Sequence, residues 1–344
     1  MLIAPSIAAL TAFLLTLWTV PWVRRWALRT MVDVPNERSS HEVPTPRGGG
    51  LPIMLIAGVV SLVATSLGSL RGGPTLGLVL FAVGGVGLMD DARGLGPGVR
   101  FAAQFAAAGA LVLFASAYDD ITLPFVGTVA LPDWVGILST IVWVVGLTNA
   151  YNFMDGIDGL AGVQGVVAAA GWGIVAYVDG AFSVVLLAAA LAGSTVGFLR
   201  YNWHPAQIFM GDVASTSLGL VFAALPLVYP ASTDSASAAR LPLLAVGLVG
   251  PFVIDATFTF FRRAMRRENV LRPHRSHVYQ RLVITGLSHA SVASLYLLAC
   301  LSSAVGSMLW FYEMVSGWVP LAALLGPFLA LWLAVIRREA AART

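Results

Sequence analysis

Apolar residues in this chain come in long blocks separated by short polar stretches. The pattern is neither the two-residue alternation of a half-buried strand nor the narrow stripe of a soluble amphipathic helix. A helix that crosses a bilayer needs roughly 20 mostly apolar residues. Eleven blocks predict such spans, at about 2–22, 51–70, 74–89, 100–117, 134–148, 159–178, 182–199, 213–229, 241–261, 290–312 and 316–336. They predict an all-α, polytopic integral membrane protein, organised as a single domain over residues 1–344. The opening Met1-Leu-Ile-Ala-Pro5 lacks a basic leader region, so the first block reads as a retained span. Residues 230–240 read as an exposed loop.

The charges test an alternating eleven-span path. Every basic side chain apart from histidine is an arginine, and eighteen of the twenty fall on odd-numbered connections or the C-terminal tail. Only Arg71 and Arg240 fall on the even side, which instead carries Asp119, Asp120, Asp133, Asp179, Asp234 and Glu313. Arginine accumulates on cytoplasmic loops. The expected orientation is therefore N-terminus outside and C-terminus cytoplasmic.

Composition agrees with the pattern. Hydrophobic residues make up 58% and charged residues 11%, against about 25% charged in a soluble domain. Mean hydropathy is +0.83. A single cysteine, Cys300, excludes an internal disulfide framework and a thiolate metal cluster. The absence of lysine removes Schiff-base chemistry.

The unusual polar clusters all lie on the arginine-rich side. They are Asp33 to His41 with Pro46-Arg-Gly-Gly-Gly50, Asp90-Asp91-Ala-Arg93, Asn149 to Asp158, Arg200 to Asp212, and His274 to Arg281. One active site is expected from the loops 24–50, 90–99, 149–158, 200–212 and 262–289, facing the cytoplasm. A transporter would instead place polar groups near mid-span, with a path to both faces.

The densest cluster steps by three through Asn149, Asn152, Asp155 and Asp158, interleaved with Gly156, Gly159 and Gly162. In a tight helical turn that step puts the four polar groups on one side, and the glycines leave room for something bulky to approach. Carboxylate and carboxamide oxygens are hard ligands, suited to Mg²⁺ beside a diphosphate. Asp90 and Asp91 either mark a span end or form a base or phosphate-organising pair, with Arg93 as the nearby cation. Asp212 is either a helix cap or a metal ligand. His274, Arg275, His277 and Arg281 offer donors to phosphate oxygens. Arg262, Arg263, Arg266 and Arg267 read as charges flanking a span.

Taken together these motifs resemble the polyprenyl-phosphate N-acetylhexosamine-1-phosphate transferases, glycosyltransferase family 4, over nearly the whole chain from Asp33 to Arg281. The motifs are Asp90-Asp91, Asn149-x-x-Asn152-x-x-Asp155-Gly-Ile-Asp158-Gly, Phe209-Met-Gly-Asp212 and the histidine loop. Pro35-Asn-Glu-Arg-Ser-Ser-His41 and His274-Arg-Ser-His277-x-Tyr-Gln look most like the branch that starts O-antigen and related surface glycans. Where many relatives carry His-x-His, this chain has His277-Val-Tyr279. The resemblance implies transfer of a sugar 1-phosphate from a UDP-N-acetylhexosamine to undecaprenyl phosphate, with release of UMP. It implies Mg²⁺, with Mn²⁺ as the alternative, held by Asn152 and Asp212. Asn149, Asp155, Asp158, His274, Arg275 and His277 would bind substrate, and Asp90 and Asp91 would act on the lipid phosphate. The implied partners are membrane lipid and the two substrates, with no nucleic acid. The implied location is the bacterial inner membrane, and a homodimer is compatible with the sequence.

Overall fold

The computed structural model of the chain describes residues 3–35, 43–66, 70–229, 235–270 and 274–342. The stretch 36–42, which holds most of the Pro35–His41 wording, lies outside the described residues, as do 230–234 of the expected loop. In chain order the helices are α1 (Ile3–Thr30), α2 (Leu51–Ser66), α3 (Gly73–Arg93), α4 (Pro97–Phe114), α5 (Asp133–Phe153), α6 (Leu160–Val178) and α7 (Phe182–Asn202). They continue as α8 (Asp212–Val228), α9 (Ser235–Ala238), α10 (Leu241–Leu248), α11 (Gly250–Met265), α12 (Val278–Ile284), α13 (His289–Phe311) and α14 (Trp318–Ala341). Two small antiparallel hairpins, β1 (Val32–Asp33) with β2 (Thr45–Pro46) and β3 (Asp120–Leu123) with β4 (Gly127–Ala130), are the strands among the described residues.

A helix or bent helix pair stands at each of the eleven predicted blocks. Eight are single helices of at least 18 residues, apolar enough to cross a membrane. The block 241–261 is not one continuous helix: α10 and α11 pass together as apolar enough for a span but form a pair bent by 80° at Val249. Pro251 at the start of α11 cannot continue the hydrogen-bond ladder. The carbonyls freed there find partners on neighbouring helices, as a membrane interior requires. Gln164 of α6 donates through Nε2 to Leu248 O at 2.8 Å, and Ser303 of α13 donates through Oγ to Gly247 O at 2.6 Å.

The short helix α8 is the axis of the bundle. All of its residues except Asp212 and Pro226 are buried, among α2, α3, α5, α6 and α10. Where lipid supplies no hydrophobic drive between helices, close backbone approach through small residues does the packing. A Cβ on Gly219 of α8 would stand 2.8 Å from Thr148 Cα of α5. The outer helices α1, α4 and α14 expose long apolar flanks, including Leu14, Trp18, Leu113, Leu329 and Leu333. The chain is an all-α, multi-pass membrane protein. Helices α3, α5 and α7 end, and α4 and α8 begin, at the end of the bundle where the site lies.

Candidate active site

The site is assembled at the N-terminus of α8. Asp91 of α3 accepts the backbone N–H of Asp212 at 2.9 Å and that of Val213 at 3.1 Å, so its carboxylate caps the helix. Two glycines allow this approach. A Cβ on Gly211, whose φ is +79°, would meet Asp91 Oδ2, and one on Gly87 would meet the carbonyl of Asp212 at 2.5 Å. Asp212 is therefore presented by a capped turn, with its own side chain free for other partners. Asn152, at the end of α5, donates through Nδ2 to Asp212 Oδ1 and to Ser215 Oγ, both at 2.9 Å. The Asn152 carbonyl oxygen is thereby left to face a ligand.

Asp90 turns the other way from its neighbour. It accepts the backbone N–H of Leu95 and pairs with Arg100 of α4, whose Nη1 stands 3.0 Å from Asp90 Oδ2 and 3.1 Å from Asp212 Oδ2. Arg100, not Arg93, is the cation at the acidic pair; Arg93 is exposed. Arg47 joins from the loop before α2. Burial weakens its charge, but the Asp33 carboxylate 2.6 Å away and the more distant Asp91 and Asp212 outweigh that and raise its proton affinity.

Asp155 completes the cluster. Loss of water, then the fields of Asp212 and Asp91, push its carboxyl well above the ordinary range, and Arg47 opposes them. With Asp33, which pairs with Arg47, five carboxylates thus face two guanidiniums, an excess of three negative charges when all are ionised. With the Asn152 side-chain oxygen, these are hard-oxygen groups of the chemistry that suits a divalent cation of the Mg²⁺ class, although no three of these carboxylates bring ligand atoms within 4.8 Å of one another.

The three-residue step does not bring its four residues to one place. Asn149 bonds to Gln104 of α4 at 2.6 Å and to the Val145 carbonyl of its own helix. Asp158 leaves the cluster for a pair of histidines. Its Oδ2 is 2.7 Å from His204 Nδ1, 3.3 Å from His289 Nδ1 and 3.1 Å from the Ala206 N–H. Burial would raise the Asp158 carboxyl, but the bonds from His289 and His204 outweigh it and hold the carboxyl below its usual value. The ligand atoms of these three residues lie within 4.8 Å of one another, a second donor set of metal-binding type. Three of its own contacts already converge on Asp158 Oδ2. The reason for the divergence is that helix α5 ends at Phe153, so the step is helical only as far as Asn152.

The room left by the glycines is taken by the protein itself. Tyr279 packs over Gly156, Trp203 over Gly159 and Leu199 over Gly162. Tyr279 is fully buried and donates to the Phe153 carbonyl at 2.9 Å, which docks the histidine loop onto the Asn/Asp loop. His277 stacks on Tyr279 at 5.7 Å and bonds through Nδ1 to Asp255. His274 accepts from Ser276 Oγ at 2.9 Å. Its imidazole is pushed down to about 4, by burial and then by the fields of His277 and Arg263, so it is neutral at physiological pH. Arg275 is in the same loop, where its charge is felt at Tyr279.

Arg263 departs from the expectation of a span-flanking charge. It is 5% exposed, pairs with Glu268 at 2.9 Å and donates to Asn269 O at 2.7 Å, so it shapes the loop entry. Arg262 does similar work through the Ser276 carbonyl. Arg281, expected among the phosphate donors, is committed to Glu339 of α14 through two bonds of 2.7 and 2.6 Å.

Sequence reasoning missed Arg100, Gln104, His204, Ser215, Asp255 and His289. Asp255 carried a signal, an ionisable residue inside an apolar block. His289 carried none, because only the fold brings it to Asp158.

The architecture and the site define a polytopic membrane protein with a charged, cation-fitting recess where its helices end. Residues 74–229 match the profile described as Glycosyl transferase family 4. The chain is 32% identical to a Bacillus subtilis protein described as a probable undecaprenyl-phosphate N-acetylglucosaminyl 1-phosphate transferase, covering 86% of this chain and 84% of that one. It is also 32% identical to the decaprenyl-phosphate N-acetylglucosaminephosphotransferase of Mycobacterium leprae, over 97% and 91% of the two chains. It is 31% identical to the phospho-N-acetylmuramoyl-pentapeptide-transferase of Streptococcus mutans, over 66% and 73%. The chain belongs to glycosyl transferase family 4.

Proposed function

We propose that this protein transfers an N-acetylhexosamine 1-phosphate from a UDP-sugar to undecaprenyl phosphate, releasing UMP, on the cytoplasmic face of the bacterial inner membrane. The product would start a surface glycan. The observation that carries the proposal is the excess of carboxylates over guanidiniums around the Asn152 and Asp212 oxygens, at the end of a membrane bundle of this family. The longest of the three alignments are with relatives named for N-acetylglucosamine, which makes UDP-GlcNAc the first donor to try.

Phosphoryl transfer asks a protein mainly to position anionic groups and neutralise charge. Asp212 and Asn152 would hold Mg²⁺, which when bound supplies charge neutralisation on the diphosphate. Asp91 keeps Asp212 in place by capping α8. Arg100 fixes Asp90 and Asp212 in one arrangement and leaves part of its guanidinium to an incoming phosphate. Asp90, held by that arginine, organises the lipid phosphate rather than deprotonating it, since a phosphate dianion needs no base. His274, Arg275 and His277 grip phosphate or sugar oxygens from the far side of the Asn/Asp loop, and Asp158 reads the nucleoside.

The test is UMP release by purified protein supplied with undecaprenyl phosphate and a panel of UDP-sugars, with Mg²⁺ and with EDTA. UMP release with one UDP-N-acetylhexosamine, lost in EDTA, is expected. No UMP from any donor in the presence of lipid and Mg²⁺ refutes the proposal.

A further inference from the structure

Asp255 is a carboxylate at 0% exposure in α11. Its Oδ1 accepts from Thr259 Oγ1 at 3.1 Å, His277 Nδ1 at 3.2 Å and the Val278 N–H at 3.0 Å. Its Oδ2 accepts from the Tyr279 N–H at 3.3 Å and the Tyr296 hydroxyl at 2.5 Å. Five donors from α11, the histidine loop, α12 and α13 converge on one side chain. A buried charge is tolerated only when hydrogen-bonded in this way.

An ionised carboxylate is only an acceptor, so the imidazole atom facing it must carry the proton. His277 is 4% exposed; it opens α12 in a capping box with Gln280, and Nδ1 is the ring nitrogen that meets Asp255. Nε2 is therefore the nitrogen available to a ligand. Two rings also pack against it, Tyr279 at 5.7 Å and His274 at 5.0 Å. A carboxylate behind one imidazole nitrogen, orienting the other, is the way a histidine's tautomer is set.

We propose that Asp255 is a positioning residue: it locks the proton of His277 on Nδ1 and aims Nε2 at the nucleotide sugar. The inference rests on the reading of His277 as a substrate-binding group. Asp255 itself touches no substrate, because Thr259, His277, Tyr296 and two backbone amides surround it.

The test is a double-mutant cycle of Asp255→Asn and His277→Ala in the full-length protein in detergent, with KM for the UDP-sugar, kcat and Tm measured for each. The coupling between two residues acting through one contact appears as non-additivity. His277→Ala and Asp255→Asn should each raise KM by about tenfold, and the double variant should be no worse than His277→Ala alone. A KM for Asp255→Asn within twofold of wild type while His277→Ala is impaired, or additive effects in the double variant, overturns the inference. No change in KM for either variant sinks the substrate-binding reading of His277, and the inference with it. Should Asp255→Asn not fold, the nitrogen shifts of [¹⁵N]histidine-labelled wild-type protein decide: a proton on Nδ1 of His277 supports the inference, and a neutral ring protonated on Nε2 overturns it.

Discussion

Replacing Arg100 by Gln removes the one cation among the described residues that touches both Asp90 and Asp212. Its Nη1 lies 3.0 Å from the first and 3.1 Å from the second. At an effective dielectric of about 20, two unit charges at that distance attract by roughly 5 kcal/mol. The Arg100 side chain is 34% exposed, so solvent screens most of this. A net loss of about 1 kcal/mol per carboxylate, about 2 in all, is the reasonable figure for pairs of this exposure. If that arrangement is what receives anionic substrates, kcat/KM for UMP release should fall by roughly thirtyfold at saturating Mg²⁺. The metal should respond in the opposite sense. Without a guanidinium competing for the Asp212 carboxylate, half-saturation should come at a lower Mg²⁺ concentration. Arg93→Gln, on an exposed side chain in the next turn, should stay within about twofold. The assay is steady-state UMP release over a Mg²⁺ series for the three proteins. Equal behaviour of Arg100→Gln and Arg93→Gln, or an unchanged Mg²⁺ midpoint in Arg100→Gln, refutes the argument.

Asp212→Ala should abolish UMP release while the detergent-solubilised protein keeps a sharp thermal transition, since Asp91 rather than Asp212 caps α8 and the partly exposed pair with Arg100 is worth only about 1 kcal/mol; a tenth of wild-type activity at saturating Mg²⁺ would remove Asp212 from the cation site. Gly156→Ala puts a Cβ 2.0 Å from the Tyr279 hydroxyl and should lower stability by about 1–3 kcal/mol, read as a drop in Tm, whereas Tyr279→Phe should cost about 1 kcal/mol. His274, held down to about 4 in the folded protein, stays neutral where an unfolded histidine would charge. Its contribution to stability is full above about pH 6.5 and lost as pH falls from there towards 4, so His274→Gln should flatten the Tm profile in that window. A reporter after Arg338 should read cytoplasmic and one near Ser235 external; a cytoplasmic signal at Ser235 would break the eleven-span path.

Much of the fold was legible because the bilayer imposes a length and a composition on every crossing. Each predicted block corresponds to a helix, even α8 at 17 residues, which protein rather than lipid surrounds. What the blocks could not show is the 80° bend between α10 and α11. Val249-Gly-Pro251 reads as one apolar run by composition. The bend is tolerable only because Gln164 and Ser303, distant in sequence, donate to the exposed carbonyls.

The site was legible as a set of acids and less so as a geometry. Periodicity placed Asn149 and Asp158 with Asn152 and Asp155, but a period holds only while the helix lasts, and α5 stops at Phe153. Tertiary partners decide the rest: within the helix Gln104 takes Asn149, and beyond its end His204 with His289 takes Asp158. The same logic answers the departure at Tyr279, where a second imidazole was expected. Residue 279 is fully buried, stacked behind His277, with its hydroxyl on the Phe153 carbonyl and its ring over Gly156. A side chain so placed braces two loops against each other and leaves no edge for a phosphate. Under the proposed function the substrate-facing work of the loop would fall to His274, Arg275 and His277, and its precision would depend on a buried tyrosine and a buried aspartate, Tyr279 and Asp255.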